Sequence, residues 1–150
     1  MATISFYGPG ITQAYGGVSA GTAPNIDYLS DAIKCALTTS AYTADLDAHD
    51  FFDDVTNEIT GTGYSAGGVT LGTKVLSITG GTNTIMFDAA DAAWTASSFT
   101  AAFGVIYDST PGTAGTNPLL WLIDFGGDQT VTAGTFTIQF NAAGIATIVY

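Results

Sequence analysis

From residue 69 to the end of the chain, apolar residues recur at every second position in short runs, and turn-forming residues separate the runs. A period of two belongs to strands, whose successive side chains point to opposite faces, whereas a helix needs a period near 3.6. Residues 135–140, TFTIQF, show it most cleanly. Phe136, Ile138 and Phe140 share one parity, and Thr135, Thr137 and Gln139 share the other. Residues 99–107, FTAAFGVIY, and 119–125, LLWLIDF, are apolar on both parities, as expected of interior strands covered on both faces. Residues 69–79 and 84–88 read as two more strands, joined by a hairpin loop at 79–83. Residues 32–38 alternate Ile33, Cys35 and Leu37 with Lys34, Ala36 and Thr38 and read as a half-buried strand. Asn141-Ala142-Ala143-Gly144 reads as a turn, with 145–150 closing a hairpin on 135–140. Residues 89–98 are ambiguous: Asp91-Ala92-Ala93-Trp94 resembles a short turn, with Trp94 plugging the core edge. Residues 108–118, rich in Gly, Pro and Thr, read as a surface connection. The pattern predicts an all-β fold, an antiparallel β-sandwich or barrel of about seven to eight strands.

Two stretches depart from it. Residues 39–48 read as loop, and residues 49–71, with acids, aromatics and Gly-rich turns, read as a long ordered excursion over the β domain, with one helical turn at 48–54 capped by Asp47 or Asp50. Residues 1–26 contain no charged side chain, and Phe6, Tyr7 and Tyr15 punctuate them. They read as an extended N-terminal arm that packs on its own domain or on a neighbour, leaving 27–150 as a single β domain. Of the two adjacent phenylalanines in the loop, Phe51 and Phe52, one is expected to anchor it to the core and the other to meet a partner. Phe6, Tyr7, Tyr15, Phe51, Phe52 and Tyr64 are the candidate interface residues, because clustered aromatics are common anchors of interfaces.

A chain of 150 residues can bury a sizeable core without disulfides or metal. Only 10% of its residues are charged, against the usual quarter, which suggests a surface that works against neighbours. Its net charge is -11, with Lys34 and Lys74 as the whole cationic complement. Nucleic acid is excluded as a partner by the lack of clustered cations, and an anionic membrane is disfavoured on the same ground. No apolar run approaches the ~20 residues of a membrane span. A basic segment followed by an apolar one is also missing at the N-terminus, so synthesis and function without export are expected.

Little catalytic chemistry is legible. A Ser–His or Cys–His pair would have to use His49, and a lone Cys35 on an apolar parity reads as a buried, inert thiol. Carboxylate pairs such as Asp53/Glu58 and Asp124/Asp128 can be named, but nothing distinguishes them for glycoside hydrolysis. The chain reads as a non-enzyme. Asp45, Asp47, Asp50, Asp53, Asp54 and Glu58 crowd one stretch and are candidate ligands for a divalent cation such as calcium, which takes six to eight oxygens. A solvated acidic loop whose aspartates cap turns explains the same residues. Tyr15, Tyr42 and Tyr64 could form a sugar-binding platform, which would make the chain a carbohydrate-binding β-sandwich module.

The order Asp31-Ala32-Ile33-Lys34-Cys35-Ala36-Leu37, then HDFFDDV at 49–55, NEITGTGYSAGG at 57–68, and Leu71 resembles a group of small virion structural proteins of tailed bacteriophages. Val105-Ile106-Tyr107-Asp108 and the 119–125 segment also fit, so the resemblance spans residues 30–150. It implies a virion component, made in the host cytoplasm, with no catalytic residues. Within that class a capsid decoration (cement) protein is expected, touching the major capsid protein and copies of itself, as a homotrimer. A tail-tip, fibre or neck protein is the alternative.

Overall fold

The computed structural model describes residues 2–10, 26–79 and 81–149. Among these, eight strands form two antiparallel sheets without closing into a barrel, so the fold is sandwich-like. The larger sheet has the order β1-β7-β6-β2-β3, from β1 (Thr3–Phe6), β7 (Leu119–Ile138), β6 (Ala92–Asp108), β2 (Ile33–Thr38) and β3 (Val69–Thr70). The smaller has the order β4-β5-β8, from β4 (Val75–Thr79), β5 (Thr84–Asp88) and β8 (Ala146–Val149).

The interior strands expected at 99–107 and 119–125 are the centre of the larger sheet, and both of their faces are covered. Ile33, Cys35, Leu37, Ile106, Trp121 and Ile123 belong to one core, and Ala36, Val105, Tyr107, Leu119 and Leu122 to another. The first core is closed by the smaller sheet. Tyr28, Phe87 and Trp121 meet there edge to face, with ring centroids 5.4–5.6 Å apart. The second core is closed by the loop, through Tyr42, Ala44, Leu46, Phe52 and Val55. The molecule thus has three layers, and the outermost on one side is irregular backbone.

Several sequence expectations are corrected. The segment 69–79 is two strands in different sheets, β3 and β4, because Thr73 takes a left-handed φ of 47° between them. Residues 91–94 form no turn; β6 begins at Ala92, with Trp94 buried as expected. The segments 119–125 and 135–138 belong to one long strand, which ends before Gln139 and Phe140 and whose excess residues bulge out between Ala101↔Gln129 and Phe103↔Asp124. Gly126 (φ 76°) and Gly127 (φ 140°) supply the left-handed backbone that this bulge needs. The turn at 141–144 is present, with Gly144 at φ 99°, but β8 pairs with β5 and not with β7. Thr3–Phe6, within the expected arm, is an edge strand on β7, so a boundary at 26/27 does not separate it from the sheet. Asp108 belongs to β6 and not to the connection that follows it.

Candidate functional site

The candidate residues of the sequence converge on the loop layer, which is built from its contacts with the sheet. Residues 50–52 lie against the start of β7. Phe52 N donates to Asn117 O at 2.9 Å, and Leu119 N donates to Asp50 O at 2.9 Å. Phe52 stacks on Tyr107 with centroids 4.0 Å apart, an offset contact worth about 0.5–1.5 kcal/mol beyond its area. It is the expected core anchor. Phe51 is half-buried and bridges to Pro118. The turn at Phe52–Asp54 is a single 3-10 turn capped at Phe51 without a side-chain bond, so neither Asp47 nor Asp50 serves as its cap.

A chain of hydrogen bonds holds the first half of the loop. Asp45 N donates to His49 Nδ1 at 3.4 Å, which makes that nitrogen an acceptor, and Tyr42 Oη lies 3.1 Å from it. Tyr42 therefore donates to His49 and accepts from Tyr7 Oη, 2.9 Å away. Burial raises the pKa of Tyr7 first, and its bond to Tyr42 raises it further. Tyr42 is raised mainly by burial as well. Tyr7 is fully buried, so this N-terminal aromatic closes its own core.

The second half is held by Glu58. Its Oε1 accepts from Tyr64 Oη at 2.6 Å and from Gly67 N at 2.5 Å. Tyr64 Oη in turn accepts from Leu37 N at 3.0 Å, and Tyr107 Oη donates to Gly67 O at 2.9 Å. Gly68, at φ 71°, passes so close to β2 that a Cβ there would lie 1.8 Å from Cys35 O. No other residue fits that position.

Three of the six acidic candidates, Asp45, Asp54 and Glu58, accept from backbone amides. Asp45 Oδ1 accepts from Asp47 N at 3.0 Å and Ala48 N at 3.1 Å, and Asp54 Oδ2 accepts from Asp50 N at 3.0 Å. Burial, and then the neighbouring Asp54, raise the pKa of Asp50. Asp47 and Asp53 are exposed. Among the described residues, no group of three or more His, Cys, Asp and Glu side chains is placed to hold a metal ion.

Of the remaining aromatic candidates, Phe6 packs edge-on against Trp121, and Tyr64 packs on Trp94 and Phe99. Tyr15 lies outside the described residues. Tyr42 and Tyr64 belong to the cores on opposite faces of the larger sheet, so they do not share a platform. The thiol of Cys35 is buried, and its pKa is pushed up to about 12 by burial alone. An apolar groove of about 540 Å³ opens beside β1, lined by Ile4, Ile123, Phe125, Phe136, Ile138 and Phe140 among others.

Two features escaped the sequence reading. One is Asp108, fully buried on β6 with no hydrogen bond to its Oδ2. The other is the smaller sheet, where Val75, Leu76, Ile78 and Val149 are exposed, Ile78 at 67% and Val149 at 73%. The signal for the second was the uncharged run VLSIT at 75–79, with Leu76 and Ile78 on one parity and Val75 on the other.

No protein-family model matches the chain, and neither does any curated protein or solved structure at a significant level. What the geometry defines is a two-sheet, antiparallel all-β class. Among the described residues, no helix is long and apolar enough to cross a membrane.

Proposed function

We propose that this chain is a non-enzymatic structural protein of a phage virion, a capsid decoration protein that stabilises the shell through contacts with the major capsid protein and with copies of itself. The exposed apolar side chains of the smaller sheet carry the reading. Val75, Leu76 and Ile78 lie on β4 and Val149 on β8, the two edges of this sheet, in a chain that is only 10% charged. Three exposed apolar side chains on one five-residue edge strand favour a protein contact over a solvated face. The loop layer supports the same reading, because Asp45, Asp54 and Glu58 hold backbone amides and Phe52 packs on Tyr107. His49 Nδ1 is engaged by Tyr42 and Asp45, and a thiol with a pKa near 12 supplies no thiolate at neutral pH.

The test is to mix the purified chain with undecorated shells and, separately, with isolated tails, and to sediment each. Binding that saturates at a fixed ratio to the shell subunit is the expected result. Binding to tails alone, or to neither, overturns the decoration reading.

A further inference from the structure

We infer that β4 is a self-complementary edge that pairs antiparallel, about a two-fold axis at Ser77, with β4 of a second copy. Sheet edges expose unpaired backbone groups, and proteins blunt them with short strands, lysines, prolines or bulges. Among the described residues the other sheet edges are shorter: β3 has two residues, and β1 and β8 have four each. β4 has five, VLSIT, with no charge and no proline, and it pairs with β5 in unbroken register. Lys74, the residue placed to guard it, instead donates its ammonium to Asp31 O.

The pattern on β4 is matched to its own reverse. Antiparallel pairing centred on Ser77 sets Leu76 opposite Ile78 of the second copy, and Ile78 opposite Leu76. Both lie on the parity that continues through Ile85 and Phe87 of β5 to Ile148 and Ala146 of β8. Pairing extends these rows across six strands and shields Leu76 and Ile78, which are 43% and 67% exposed in the single chain. Main-chain hydrogen bonds along the edge add affinity, as in other strand-addition contacts.

The match of β4 to its own reverse selects a second copy as the occupant, and charge permits it at this place. Two chains of net charge -11 repel, so they meet at least cost where carboxylates are few. Across β4, β5 and β8 the charged residue is Asp88, at the inner end of β5 opposite Val75. A two-fold contact of this type is isologous and closes at a dimer. The homotrimer expected from the resemblance would need a different, head-to-tail face. The inference deepens the reading of the chain as an assembling protein but does not depend on a shell, because it is tested on the purified chain alone.

The experiment is solution mass by light scattering across a concentration series, on the wild type and on Ile78→Glu and Ser77→Cys. The wild type is expected to approach twice 15.3 kDa as concentration rises. Ile78→Glu, at a side chain already exposed, is expected to keep its circular dichroism and remain a monomer. Ser77→Cys is expected to give a covalent dimer on oxidation, since directly opposed residues bring their Cβ atoms within disulfide reach. A wild type that stays monomeric, a trimer, or a dimer that neither substitution affects overturns the inference. Failure to bind shells, with dimerisation intact, would overturn only the decoration reading.

Discussion

Asp108 offers a test in which structure and pH together set the sign. Its side chain is fully buried, Oδ1 accepts from Thr110 N at 2.8 Å, and Oδ2 has no partner. Burial raises its pKa first, and the nearby Asp31 raises it further, against the lowering effect of Thr110. The folded state therefore holds the Asp108 proton more tightly than the unfolded chain, where a carboxyl titrates near ~3.9. Between that pH and the raised folded value the native state binds more protons, so stability falls as pH rises. Above the folded value the full cost of a buried, half-satisfied carboxylate is present. Asp108→Asn removes the charge, keeps an acceptor for Thr110 N, and replaces the orphaned Oδ2 by an amide that can donate to the neighbouring Asp31 carboxyl. An unsatisfied buried polar group costs about 1–3 kcal/mol, so the variant should gain about that much at pH 7. For a chain of this length that is a rise in melting temperature of roughly 2–12 °C. Thermal melts of both proteins from pH 3.5 to 8 measure it. The gain should be near zero at the acid end and grow to a plateau as pH rises. Asp50, whose pKa is also raised, is present in both proteins and drops out of the difference. A variant less stable at pH 7, or a gain that does not change with pH, refutes the reasoning.

Four further outcomes follow from the same contacts. Gly68→Ala places a Cβ against Cys35 O at a left-handed φ, and should cost about 3 kcal/mol or more by denaturant unfolding, or prevent folding. Tyr64→Phe removes the donor to Glu58 and the acceptor for Leu37 N, and should cost about 1–3 kcal/mol. Hydrogen exchange should speed up at the Leu37 and Gly67 amides in that variant, while Phe52→Ala should loosen residues 50–55 first. Cys35, with its pKa pushed up to about 12, should resist thiol reagents at pH 8 until the chain unfolds, so that labelling follows global opening. Rapid labelling of the native protein would show the thiol to be accessible.

How much was legible depends on whether the signal is local. Period and parity placed β2, β5 and the interior halves of β6 and β7, because a strand covered on both sides must be apolar on both. The anchoring role of one of two adjacent phenylalanines was also legible, and Phe52 has it. What the sequence concealed was continuity and pairing. Gly126-Gly127 and Gly134 look like breaks, yet β7 runs through them as bulged strand. Ala96 (φ 50°) and Ala133 (φ 47°) take left-handed backbone where alanine gives no warning. The pairing of β8 with β5 joins segments some sixty residues apart, and turn chemistry at 141–144 pointed to the nearer partner. Asp108 sat at the margin of a Gly/Pro-rich connection and read as its first residue, because one more position of strand leaves no compositional trace. The acidic stretch was ambiguous for a similar reason. Carboxylates that cap backbone amides and carboxylates that gather an ion have the same composition, and only the placement of Asp45, Asp54 and Glu58 separates the two uses.

The seating of β1 against β7 has a consequence for the order in which the molecule is made. Thr3–Phe6 finds its ladder partner at Trp121–Asp124, and Tyr7 N donates to Leu120 O, so this stretch leaves the ribosome more than a hundred residues before the strand it pairs with. Until about residue 124 is translated, Phe6 and Tyr7 have no pocket to enter, and a nascent chain will carry them unshielded. Closing so long a loop is slow relative to local contacts. Folding during translation should therefore stall at an intermediate that lacks its first strand, and the final docking should occur as a late, separate step.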